Sequence, residues 1–162
     1  MIERSMRRKD RKLLLHEAQS LLLHGEYGVM ATADEKGQPY GVPLSYCVFD
    51  EKIYVHCAKD GHKISNIRAN NRVSFTVVGK VQALYDKNFT TNYESVIVFG
   101  KISEVFERDE KWNALYGLAE KYLPEHLDKA EGDIEASFER TAVYAISMEE
   151  ISGKARKSRE KV

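Results

Sequence analysis

The sequence predicts a mainly β chain, a six-stranded antiparallel barrel with helices at its periphery. Three observations carry that prediction. Six segments rich in β-branched and aromatic residues recur along the 162 residues. The first of them are joined by connections too short for parallel pairing, which needs a crossover of about a dozen residues. The hydrophobic share of 43% against 31% charged suits a single globular core, and closing the sheet would remove its exposed edges. One domain spanning 1–162 is expected, with basic flexible ends at about 1–9 and 153–162.

Taken in order, residues 10–25 read as an amphipathic helix, with Leu13, Leu14, Ala18, Leu21 and Leu22 at helical spacing and Gly25 as the stop. Strands follow at 27–33, 40–49 and 53–58, separated by the turns at 34–37 and 50–52. A short helix fits 62–69, with Ile64 and Ile67 inward, and strands at 72–78 and 94–106 follow it. The stretch from 80 to 93 is long and polar for a hairpin, so a covering loop at the barrel mouth or a subunit interface is expected there. Trp112, Leu115, Leu118, Ala119 and Tyr122 mark a helix that Pro124 ends, the charged region to Arg140 reads as helical, and a last strand runs from 141 to 148.

The balance of 25 basic and 25 acidic residues leaves no overall field to attract nucleic acid. Residues 1–12 nevertheless hold six basic side chains against Glu3 and Asp10, and 151–162 hold five against Glu160. Both ends read as solvated, the alternative being a role in binding a nucleotide or a partner. No run approaches the roughly 18 apolar residues of a membrane helix, and no signal-peptide core follows Met1, so a cytoplasmic location and no membrane partner are expected. Cys47 and Cys57 form no metal pattern and read as free thiols, and His56 and His62 match no metal-ligand spacing; no metal is expected.

The densest chemistry lies where the strand ending His56-Cys57-Ala58 runs through Lys59-Asp60-Gly61 into the helix starting His62-Lys63. Free N–H groups at a helix start attract anions, Gly61 permits close approach, and Lys63 adds a charge. The same residues are also compatible with a plain turn, in which Asp60 caps the helix while His62 and Lys63 are solvated. His56 reads either as a rim histidine or as a group meeting a ring-shaped ligand. Gly41 and Pro43 mark 39–46 as an edge strand on which something planar could lie, with Ser45 adding a hydroxyl.

These segments, Met6-Arg7-Arg8-Lys9-Asp10-Arg11, Tyr27-Gly28-Val29-Met30-Ala31, Gly37 to Tyr46, Ile53 to Ala58, Gly61-His62-Lys63, Asn66-Ile67, Tyr93 to Lys101 and Ile151-Ser152-Gly153-Lys154, resemble the nitroimidazole-resistance proteins. Those belong to the pyridoxamine 5'-phosphate oxidase-like, FMN-binding split barrels, and the likeness spans nearly the whole chain in order. It implies a homodimer with flavin at the subunit interface, FMN as a rule and FAD as the alternative. The family's ring-binding strand falls on Val42, Pro43, Leu44 and Ser45, its second strand on Val55 and His56, its phosphate turn on Gly61, His62 and Lys63, and a downstream contact on Glu94 or Ser95. The implied activity is NAD(P)H-dependent reduction of a small acceptor such as a nitroimidazole, with His56 on the substrate side as the catalytic candidate. A flavin or haem storage protein without turnover is the alternative. Pyridoxamine 5'-phosphate oxidation is disfavoured, because Ser45 stands where those enzymes place a basic residue and no proline follows Pro124.

Overall fold

The computed structural model describes residues 6–86 and 88–156. Eight strands and four α-helices follow one another: α1 (Leu15–His24), β1 (Gly28–Ala33), β2 (Pro39–Leu44), β3 (Cys47–Phe49), β4 (Lys52–Cys57), α2 (His62–Ala69), β5 (Arg72–Asp86), β6 (Asn88–Glu104), α3 (Arg108–Tyr122), α4 (Leu127–Ser137), β7 (Ala142–Ser147) and β8 (Glu150–Arg156). The strands form one curled antiparallel sheet in the order β2-β1-β5-β6-β7-β4-β3, with β8 added to β6. Among the described residues no helix is long and apolar enough to cross a membrane.

The split in the barrel comes from β6. Its middle, from Tyr93 to Phe99, pairs with β8, and its last residues, Ile102 to Glu104, pair with β7. Gly100 marks the division, because a Cβ there would come within 1.7 Å of the Ser147 carbonyl oxygen where the β7–β8 connection folds over it. Along that middle stretch, alternation sorts the side chains cleanly. Met30, Phe75, Val77, Val96 and Val98 fill the barrel interior and are fully buried. Their neighbours Val29, Thr76, Ile97 and Ser152 share one row of the outer face, and Ala31, Ser74, Phe99 and Glu150 share the next.

A second core lies between the outer face of β4 and β7 and the helices α3 and α4, from Tyr54, Val143 and Ala145 to Ala114, Leu118, Ile134 and Phe138. Covered on both sides, β7 is apolar at nearly every position. Glu107 caps α3 by accepting from the Asp109 and Glu110 amides at 3.0 and 2.6 Å, and Glu110 reaches back to Lys52 Nζ at 2.7 Å and the Tyr54 hydroxyl at 2.8 Å, tying α3 to β4.

The structure departs from the sequence expectations at four places. The first helix begins at Leu15, after a short 3-10 turn at Lys9–Arg11, because the Glu17 carboxylate accepts from the Leu14 amide at 2.9 Å and sets the start there. The strand expected over 40–49 is two strands divided at Ser45 and Tyr46, and this corner carries the chain from one end of the sheet to the other without a β2–β3 ladder. Residues 80–93 are no loop: they extend β5 and β6 into a long hairpin, with Gly79 and Lys80 bulged opposite Glu94. The basic end expected from 153 is strand through Arg156, with Gly153 packed on Ala18 and Leu13.

Tyr46 holds the corner. Its ring is fully buried, edge-on to Phe75 with centroids 5.0 Å apart, and its hydroxyl donates to the Leu22 carbonyl at the end of α1. The Tyr46 amide donates to the Tyr122 hydroxyl at 3.0 Å, which in turn donates to the Glu26 carbonyl at 2.7 Å. Burial pushes the Tyr46 hydroxyl well above its ordinary pKa, so it stays a donor. Tyr46→Phe leaves a buried carbonyl unpaired and is expected to cost about 1–3 kcal/mol, read as a lower urea midpoint at unchanged slope; an unchanged midpoint would show that the hydroxyl contributes nothing to the corner.

Candidate functional site

The helix α2 starts without the devices that start α1 and α3. Its N-cap is Gly61 at φ +119°, a conformation side chains resist, and no side chain caps it. Asp60 therefore does not cap the helix, and no acidic residue lies in its first turn. The Gly61 carbonyl accepts from the Ile64 and Ser65 amides, both at 3.0 Å, while the His62 and Lys63 amides have no acceptor within the helix. Among the described residues nothing lies within 4 Å of where a Gly61 Cβ would stand, so an anion has open access to those N–H groups and to Lys63.

Two buried contacts fix this turn against the sheet. Ile64 and Ile67 pack into the barrel, and between them Asn66 donates from Nδ2 to Thr32 Oγ1 at 3.0 Å. Thr32 Oγ1 donates to the Tyr40 carbonyl at 3.3 Å, linking α2 through β1 to the edge strand β2. The Tyr40 ring then lies 4.1 Å from the His62 ring, tilted by 32°. Thr32, Tyr40 and Asn66 are positioning residues absent from the sequence-based set. A polar Asn between two inward isoleucines was the available sign.

His56 ends β4 on the face it shares with Tyr54, just beyond the cover of α3 and α4, and its side chain is exposed. The surrounding protein still lowers its pKa from 6.5, by desolvation first and by the Lys63 charge second, so the imidazole is neutral at pH 7. Val55 lies on the opposite face at 2% exposure, within the barrel core, where its side chain cannot reach an external ligand. In β2, Val42 and Leu44 pack inward, while Gly41, Pro43 and Ser45 are exposed. Among the described residues that strand pairs with β1 alone, so its other edge leaves backbone groups open along Val42 to Ser45.

Glu94 and Ser95 stand elsewhere. Ser95 pairs with Val78, one step past the Val77–Gly28 row, whereas α2 is anchored at Thr32, roughly 17 Å along the sheet and ~10 Å across it. The two residues also face opposite sides of β6. Glu94 turns over Gly79, where its Oε1 accepts from the Lys80 amide at 3.3 Å and satisfies a group freed by the bulge. It borders a cleft of about 490 Å³ that also includes His24, Tyr27 and Lys80. One chain thus gathers Gly61, His62, Lys63, His56 and Tyr40 at one end of β2, and keeps Glu94 and Ser95 apart from them.

Solved structures share this arrangement of strands. A candidate 5-nitroimidazole antibiotic resistance protein from Bacteroides thetaiotaomicron superposes with a TM-score of 0.74 at 20% identity, over 89% of this chain and 86% of its own. An FAD-binding protein from Mesorhizobium loti gives 0.63 at 26% identity, over 91% and 97%. The haem storage protein HutZ from Vibrio cholerae gives 0.64 at 14% identity, over 91% and 99%. No curated protein sequence matches significantly. The family model for pyridoxamine 5'-phosphate oxidase matches residues 15–155. Since that match runs from the first residue of α1 almost to the end of β8, the chain belongs to the pyridoxamine 5'-phosphate oxidase family.

Proposed function

We propose that this chain is a flavin-dependent oxidoreductase, with FMN as its flavin, that passes electrons from NADH or NADPH to a small acceptor such as a nitroaromatic. The observation that carries the reading is the uncapped start of α2 beside Lys63: open amides, a positive-φ glycine and a cation fit a phosphate monoester. The chain's solved neighbours include proteins described as FAD-binding and as resistant to nitroimidazole.

When bound, the flavin supplies two-electron transfer, taking a hydride from the nicotinamide and delivering two electrons to the acceptor; a nitro group takes them with two protons and loses water to become nitroso. The protein's part is position and electrostatics. Gly61, the His62 and Lys63 amides and the Lys63 ammonium hold phosphate, and Asn66 and Thr32 keep that turn in register with β2. The open edge from Val42 to Ser45 offers N–H and C=O groups to the polar rim of a flat ring. The neutral imidazole of His56 is free to donate or accept a hydrogen bond at the substrate side.

The reading includes a homodimer. In one chain the Gly61 turn and the β2 edge form an open surface, and beside them the outer face of β1, β5 and β6 exposes Val29, Val78 and Phe99, with Tyr27 next to it. A second copy on that face would cover those residues and bring its own Glu94 or Ser95 toward the flavin. The family name does not carry the reaction over, because Ser45 and the lack of a proline after Pro124 still speak against pyridoxamine 5'-phosphate as substrate.

Three outcomes are expected. Heat release followed by mass spectrometry yields FMN from the purified protein, and Lys63→Gln weakens its retention about 10- to 100-fold, the loss of one charge-assisted contact of about 1.5–3 kcal/mol; full retention would remove Lys63 from the phosphate site. Without oxygen, NADH or NADPH bleaches the flavin absorbance, and His56→Ala slows the subsequent single turnover with a nitroimidazole. Absence of bleaching with either donor means a binding or storage protein, and an unaltered turnover ends the role of His56. Light scattering gives a dimer mass that Phe99→Glu reduces to a monomer with parallel loss of flavin; a monomeric wild type that keeps its flavin refutes the interface.

A further inference from the structure

The two basic ends of the sequence meet on one patch. Lys12 and Lys154 are direct cross-strand partners, and Lys154 is in turn paired with Ser95 of β6. In the next row, Arg156 is paired with Tyr93. Arg11 donates from Nη1 to the Tyr93 hydroxyl at 3.2 Å, and Lys154 Nζ lies 5.9 Å from the centre of the same ring. Three segments distant in sequence thus place four cations around a tyrosine and a serine.

The nearest described acid, Asp10, is bonded to Arg8 and only feels the Arg11 charge. Among the described residues the only ion pair of this region is Arg8–Asp10, at 2.6 Å, and Arg11, Lys12, Lys154 and Arg156 enter none. Like charges placed directly opposite each other across strands are unfavourable, so the Lys12–Lys154 pairing is a cost the fold carries. An anion lying between the two ammonium groups reverses its sign. The Tyr93 and Ser95 hydroxyls add neutral groups that can donate to oxygen.

We infer that Arg11, Lys12, Tyr93, Ser95, Lys154 and Arg156 form a second anion site, which takes a phosphate or diphosphate group of a nucleotide. The positive potential there also acts on Tyr93, whose hydroxyl falls below its ordinary pKa of 10, chiefly through the Arg11 hydrogen bond, with the Lys154 and Arg11 charges adding to it. Within one chain the site is distinct from the Gly61 turn, which lies at the other end of the sheet; in the proposed dimer its Ser95 side faces the flavin of the partner subunit. Its assignment to a nucleotide rests on the flavin reading above, since the phosphate comes either from the adenylate half of a larger flavin or from the nicotinamide donor. The anion site itself does not depend on that reading.

Calorimetric titration of the full-length, flavin-loaded protein with ADP at low salt tests it. Saturable binding is expected in wild type, weakened at least tenfold in Lys12→Gln/Lys154→Gln and in Arg11→Gln, with circular dichroism unchanged. Wild-type affinity in both variants, or no saturation of the wild type up to millimolar ADP, overturns the site. The two phosphate sources separate by loading: ADP excluded from FAD-loaded but not from FMN-loaded protein places the adenylate of the flavin here, and ADP bound equally by both, with tighter binding of 2',5'-ADP, places the donor here. Preparations that carry no flavin yet bind ADP through Lys12 and Lys154 would sink the flavin reading and leave the phosphate site standing.

Discussion

The structure depends on a buried tyrosine at a corner. The chain has to pass from β2 at one end of the sheet to β3 at the other, and no ladder joins those two strands. Tyr46 makes the passage possible by placing an apolar ring against Phe75 in the barrel and sending its hydroxyl to the end of α1. Its amide is met by Tyr122 from α3, and the Lys121 ammonium lies 3.5 Å from the centre of its ring. Buried with no hydrogen-bond acceptor among the described residues, that ammonium is pulled down to about 8, mainly by desolvation. Both cores and both flanking helices converge on this one residue. The position of the β2 edge, and so of any ring laid along Val42 to Ser45, follows from it.

A second constraint is the length of β6. One strand serves β8 with its middle and β7 with its last residues, and the division at Gly100 turns one sheet into two half-barrels that share a spine. The same geometry explains why residues adjacent in a functional argument lie far apart. The Gly61 turn belongs to the end of the sheet where α2 packs on Thr32, and Ser95 belongs to the opposite end, so a site that needs both must draw them from two chains.

Much of this was legible in the sequence where the signal is local. Strand β4, the turn at Gly61 and helix α2 were readable within a dozen residues, since alternation, a glycine and inward isoleucines act over that range. Where a signal was masked, the reading failed for identifiable reasons. In β8, Ile151, Gly153 and Ala155 alternate inward, but Lys154 and Arg156 dominate the composition and made the segment look like a solvated tail. Residues 80–93 carry Val81, Tyr85 and Phe89 at strand-like positions, yet their outward exposure gives no buried face to recognise. The link from Asn66 through Thr32 to Tyr40 spans 34 residues to its first partner and eight to the next, and no periodicity records such a contact. Val55 shows the converse, a residue that lies in the right strand with its side chain on the wrong face.

Local rules that the chain obeys elsewhere are broken at a few places outside its cores. Glu17 and Glu107 start α1 and α3, and α4, though it has no side-chain cap, carries Asp128 in its first turn, so α2 alone among the described α-helices starts with neither a cap nor an acid. Its cations pair with acids at Lys52–Glu110 and Arg72–Glu149, so Lys12 opposite Lys154 is likewise an exception. The outer face of β1, β5 and β6 leaves Val29, Val78 and Phe99 uncovered while the inner face is sealed. In a sequence whose levels otherwise agree, such violations persist where something outside the chain compensates them. In the proposed reading a phosphate compensates the first two and a second apolar face the third. One ligand class and one partner, a phosphate-bearing cofactor and another copy of the chain, are then what that reading needs for all three.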